Sequence, residues 1–120
     1  MAGELTVVTT LSLRKGSNFF TWTPGALTID QTGAGGPTPG YVTIGTSEES
    51  IAFGELSTLG FVTIQNLDAT NYVRWGFSTG VYGGRLRAGE YACFRLNPGS
   101  TLYLVANTAA CKCIVNALED

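Results

Sequence analysis

GELSTLGFVTIQNLDATNYVRWGFS, residues 54–78, decides how this chain is read. Phe61–Asn66 and Asn71–Phe77 are rich in Val, Ile, Thr, Tyr, Phe and Trp, the residue types that suit a pleated, half-buried surface. Between them stands Leu67-Asp68-Ala69-Thr70, where Asn66 and Asp68 can hydrogen-bond their own backbone and reverse the chain. The expectation is a β-hairpin, with Val73 and Trp75 on the buried face and Tyr72 and Arg74 on the other. Asn66, Asp68 and Thr70 also alternate as a calcium loop begins, but the twelfth position is Phe77, so turn chemistry is the better account.

The same pattern extends in both directions. Upstream, Leu5–Leu13 alternates as one long, half-buried strand, and Phe19–Thr23 and Ala26–Gln31 follow as further strands. Phe19–Trp22 places Phe20 and Trp22 on one face and Phe19 on the other. Either one face exposes large aromatics as a contact surface, or the segment is buried on both sides between two layers. Thr32–Gly40, TGAGGPTPG, holds Pro37 and Pro39 among four glycines and cannot be a helix or a central strand. It reads as a flexible loop at a subunit boundary. No Lys-Ser/Thr follows it, which removes the phosphate-loop reading. Tyr41–Gly45 and Ser50–Phe53 are strands around a turn at Thr46–Glu49. Downstream, Arg85–Arg87 is a brief extended piece and Tyr91–Leu96 a strand. Asn97-Pro98-Gly99-Ser100 has the residues of a type II turn. Thr101–Ala106 is expected to pair antiparallel with Tyr91–Leu96, and Ala110–Leu118 ends the series with Cys111, Cys113 and Val115 on one face. The sum is an all-β chain, a single domain over residues 1–120, built as an antiparallel sandwich or jelly-roll-like barrel of about eight or nine strands.

Composition narrows the function. Charged residues are only 13% of the chain and hydrophobic ones 44%, with mean hydropathy +0.17. An average domain carries about 25% charged residues. Either the surface is made of Thr, Ser, Asn and Gly, or much of it is covered by other subunits. The 7 basic residues are scattered, which argues against nucleic acid, and no apolar run has membrane-spanning length. Histidine is absent, so the commonest general base and metal ligand is missing, and the acids are isolated in sequence. The expectation is a non-enzymatic protein without cofactor or metal. Cys93, Cys111 and Cys113 are read as buried free thiols, which implies folding in a reducing compartment.

Several runs carry a family resemblance. They are Thr58–Val73, then Arg87-Ala88-Gly89-Glu90, Phe94-Arg95-Leu96, Leu102–Ala110 and the terminal Leu118-Glu119-Asp120. In this order they resemble small β-rich virion structural proteins of tailed bacteriophages and prophages, over about residues 54–120. The resemblance implies a virion protein made in the bacterial cytoplasm. As a head decoration or cement protein it would bridge major capsid subunits, self-associating as a homo-oligomer, with a trimer favoured. The residues expected to make contacts are Phe19, Phe20, Trp22, Pro37 and Pro39. The alternative is a tail or fibre module binding a host glycan or protein, for which Trp22, Trp75, Tyr72 and Tyr82 are the candidates.

Overall fold

The computed structural model describes residues 3–54 and 56–120. The chain is all-β and antiparallel throughout, and it divides into two compact units, Met1–Thr32 and Gly33–Asp120. In the first unit, β1 (Leu5–Val7) pairs with β4 (Leu27–Ile29), and β2 (Leu11–Lys15) pairs with β3 (Asn18–Trp22). The expected long strand Leu5–Leu13 is therefore two strands with different partners. Alternation alone does not show that residues 8–10 leave the pairing.

The second unit runs β5 (Thr38–Ile44), β6 (Glu49–Ser50), β7 (Leu59–Asn66), β8 (Val73–Gly76), β9 (Gly84–Leu86), β10 (Tyr91–Arg95), β11 (Tyr103–Ala106) and β12 (Cys111–Glu119). These form two four-stranded sheets, ordered β10-β7-β12-β5 and β6-β11-β8-β9. The pairs β5–β12, β6–β11, β7–β10 and β8–β9 are nested, first strand with last and so inward. This is a long hairpin folded over on itself, the topology of a jelly roll. Among the described residues there are twelve strands, against the eight or nine expected, in part because Leu5–Leu13 divides into β1 and β2.

The core lies between the two sheets of the second unit. Val62 and Ile64 of β7 and Cys113, Val115 and Ala117 of β12 meet Val73, Leu86 and Leu104 of the facing sheet. Alternation is clean on β12, where Cys111, Cys113 and Val115 are buried as expected. Each such aliphatic side chain contributes about 1.5–3 kcal/mol on burial.

Two pairings differ from expectation. β7 and β8 do not form a hairpin: β7 pairs with β10 and β12, β8 with β9 and β11. Likewise β10 and β11 lie in different sheets. The turns themselves form as read. Asp68 Oδ2 accepts the Thr70 and Asn71 N–H groups at 3.0 and 2.6 Å, and Asn66 Oδ1 accepts that of Asp68 at 3.0 Å. Ser100 N–H closes on the Asn97 carbonyl at 3.0 Å, with Gly99 at φ 86. What local turn chemistry does not encode is whether the next strand returns alongside or crosses the core. Here the chain crosses, and Asn66 links the two sheets at the crossing. Its side chain is fully buried and donates from Nδ2 to the carbonyls of Asn71 at 2.9 Å, Leu86 at 3.1 Å and Arg87 at 3.3 Å. That ties the end of β7 to the end of β9 in the opposite sheet.

The Gly/Pro segment is also more ordered than expected. Its end, from Thr38, is the start of edge strand β5, with Pro39 opposite Asn116. Gly33 N–H donates to the Asp120 carbonyl at 2.7 Å, and Glu119 N–H donates to the Gly35 carbonyl at 3.1 Å. Gly36, at φ 102, lies so close to β12 that a Cβ would sit 2.6 Å from the Ala117 carbonyl oxygen. Gly36 thus serves close approach.

Candidate interaction surface

In the first unit, β2 and β3 are joined by the two-residue loop Gly16-Ser17, with Gly16 at φ 58, a conformation glycine adopts freely. The register sets Leu11 opposite Trp22 and Leu13 opposite Phe20. Directly paired residues point to the same face, so Leu11, Leu13, Phe20 and Trp22 make one apolar face. Phe19 stands on the other face, opposite Arg14, whose guanidinium carbon lies 5.5 Å from the ring centre. Leu11 is 61% exposed, Phe19 64%, Phe20 49% and Trp22 48%. Neither face of Phe19–Trp22 is buried within the first unit. Among the described residues, none of the first unit is fully buried.

The β2–β3 hairpin carries Arg14 and Lys15 and no acid, while the two acids of the first unit, Glu4 and Asp30, lie outside it. Asp30 is engaged locally, accepting the Gly3 N–H at 2.7 Å. Sequence reasoning found Phe19, Phe20 and Trp22 but placed Leu11 and Leu13 on a half-buried strand, and only the register brings them beside Phe20 and Trp22. Pro37 and Pro39 are exposed but belong to the jelly roll.

The remaining aromatic candidates divide. Trp75 turns inward, stacked on Phe94 at 4.9 Å and 8° and edge-on to Phe77 at 5.7 Å. Gly84 stands opposite it in register, and a side chain there would strike the indole ring. Tyr72 and Tyr82 instead lie on the outer side, beneath arginines. The Arg85 guanidinium is centred 4.1 Å from the Tyr72 ring and that of Arg74 5.0 Å from Tyr82. The Tyr82 hydroxyl donates to Glu48, whose same oxygen accepts the Gly80 N–H at 2.7 Å. These two bonds hold the Glu48 carboxyl below its ordinary pKa, the tyrosine hydroxyl foremost, and the Glu48 contact raises the pKa of Tyr82.

The thiols differ from expectation at one position. Cys111 and Cys113 are buried, and desolvation first, then the neighbouring Cys111 and Asp68, pushes the Cys113 thiol up to about 12. Cys93 is exposed on β10, alternating with the half-buried Ala92 and Phe94 that face the core. Among the described residues no group of His, Cys, Asp and Glu could hold a metal ion, and no helix is long and apolar enough to cross a membrane.

No protein-family model matches the chain, no curated protein matches it, and no solved structure matches it.

Proposed function

We propose that this chain is a non-enzymatic structural protein of a bacteriophage particle, a head decoration or cement protein that bridges major capsid subunits. The observation that supports it is the arm of the first unit: strands β2 and β3 present Leu11, Leu13, Phe20 and Trp22 together and bury none of them. A lone two-stranded hairpin is marginal in water, since ordering each residue costs about 1–2 kcal/mol with no core to offset it. Covering these four half-exposed side chains contributes on the order of 4 kcal/mol. The arm is thus stabilised by a neighbour. Arg14 and Lys15 at its tip favour a neighbour with acidic groups beside an apolar patch. The resemblance over residues 54–120 names that neighbour's class, and the low charge of the chain fits a surface shared with further copies in a closed trimer.

In this reading a capsid subunit covers the apolar face of β2 and β3 at a joint between capsid subunits. Apolar burial on both sides of the joint resists its opening under internal pressure. The test is to add purified protein to capsids that lack it and heat them. Saturable, symmetric binding with delayed rupture is expected, lost in Phe20→Ser/Trp22→Ser. Binding to tails or host cells with none to capsids replaces this reading with the tail or fibre module.

A further inference from the structure

The outer side of the β8–β9 edge gathers three arginines, none of them in an ion pair among the described residues. Arg74 and Arg85 stand directly opposite in register, a pairing of like charges that weakens a sheet. Leu86 is buried, so Arg85 and Arg87 flank it and both project outward. Among the described residues the one ion pair is Arg95 with Asp120, so none of these three guanidiniums has a carboxylate partner. Nε of Arg74 is buried without any hydrogen-bond partner. The nearest acids are otherwise engaged: Glu48 holds Tyr82 and Gly80, and one oxygen of Glu90 accepts the Arg87 N–H at 2.8 Å.

Arg85, Arg87, Tyr72, Thr70, Ala88 and Glu90 line one open concavity. Stacking on Tyr72 fixes the plane of the Arg85 guanidinium while leaving its N–H edge free, the geometry for accepting a planar carboxylate in a fork. Glu90 then discriminates. Its acceptor-only carboxylate repels a densely charged phosphate but accepts hydrogen bonds from hydroxyl groups. Thr70 can bond a hydroxyl as donor or acceptor, and Ala88 and the ring edge of Tyr72 offer apolar contact. A ligand that satisfies the whole set carries one carboxylate, several hydroxyls and an apolar C–H face.

We propose that this concavity binds a carboxylated sugar residue of an acidic polysaccharide, with Arg85 and Arg87 holding the carboxylate and Glu90 and Thr70 the hydroxyls. The site does not rest on the capsid reading, since a protein on a particle surface can meet such a polymer wherever on the particle it sits. The experiment is a calorimetric and NMR titration of the full chain with trigalacturonate, neutral galactotriose and a hexaglutamate peptide. Saturable binding of trigalacturonate alone is expected, weakening with added salt. Arg85→Ala and Arg87→Ala should each weaken it about 10- to 100-fold, the loss of a charged hydrogen bond. Arg85→Lys should restore it only in part, because an ammonium lacks the fork. Both arginines are exposed, and unchanged melting of the Arg87→Ala variant separates lost binding from lost folding. Equal binding of galactotriose, equal binding of hexaglutamate, or no saturable trigalacturonate binding overturns the proposal. Capsid binding by the arginine variants is expected to be unaffected, so failure here and failure of the capsid reading are separate results.

Discussion

Asn66 carries the crossover from one sheet to the other, and replacing it tests that account. Its amide nitrogen has two hydrogens and three carbonyls within 2.9–3.3 Å, so one bond is shared. Its oxygen accepts from Asp68. Asn66→Ala removes about three hydrogen bonds at this corner, while the Leu86 carbonyl stays opposite Val73 in the β8–β9 pairing. A net bond is worth about 1 kcal/mol, and a buried group left unsatisfied costs about 1–3 kcal/mol. Water can reach the Asn71 and Arg87 carbonyls at the partly exposed corner, which reduces the total. The expected loss is about 3 kcal/mol. With a urea m-value of about 1.5 kcal/mol/M, the unfolding midpoint should fall by about 2 M at unchanged m.

Asn66→Asp sharpens the test because it keeps the shape and removes only the donors. An ionised Asp at position 66 would face three carbonyls in a buried site, so its pKa in the folded state should rise above the unfolded value of about 3.9. A raised folded pKa means the protonated form is favoured by folding. The variant is then least destabilised below the unfolded pKa, and its deficit grows as pH rises through the folded value. Urea midpoints between pH 3.5 and 7.5, compared with wild type, read this directly. A midpoint shift below about 0.3 M for Asn66→Ala, or a pH-independent deficit for Asn66→Asp, would refute the role assigned to this side chain.

Other outcomes follow from single sites. With a thiol reagent, native protein should label at Cys93 alone, and Cys111 and Cys113 only on unfolding; three fast-reacting thiols in the native state would contradict their burial. Trp22 emission should be quenched by acrylamide in the free protein and protected once bound to capsids, with Trp75 the less accessible throughout; protection of Trp22 before binding would remove the exposed arm face. Glu119 accepts the Ser57 N–H and hydroxyl at 3.0 and 2.9 Å and the Gly35 N–H at 3.2 Å, which holds its carboxyl below the ordinary range, the Ser57 backbone bond foremost. A depressed folded pKa gives stability that is present above the unfolded value of about 4.3 and is lost as pH falls through the folded one. Glu119→Gln should therefore be less stable than wild type at pH 7, and the two should converge as the pH falls below about 4; a constant gap counts against the carboxylate's role.

Strand identity was legible because its signal is local. β7, β10 and β12 show in their alternation, and the turns at Asp68, Gly89 and Gly99 show in their residue types. Strand partners were not. β5 and β12 pair across the length of the second unit, and nothing near Tyr41 or Ile114 announces the other. Proximity in sequence favoured hairpins at β7–β8 and β10–β11, whereas shared burial in one core places each such pair in opposite sheets. The Gly/Pro segment misled for a related reason. A glycine needed for close approach to β12 and one that merely loosens a loop have the same letter.

The candidate surfaces were legible to different depths. Aromatic residues at Phe19, Phe20 and Trp22 stand out against a chain with few charges, but the face they form needs the register with Leu11 and Leu13. The arginine site was harder to see. Arg85 and Arg87 show only as a spacing of two, which fits any solvated strand edge. Their meaning comes from Arg74, brought opposite Arg85 by the β8–β9 pairing, and from Tyr72, which stacks beneath Arg85. A cross-strand pair of guanidiniums lowers the stability of the very edge that carries it. The two tyrosines offset that cost in part by cation–π contact, worth about 0.5–1 kcal/mol each at exposed sites. An edge stabilised by its own core would have no need of either arginine. Their arrangement, with Glu48 and Glu90 turned to other bonds, is what an anion held from outside would require.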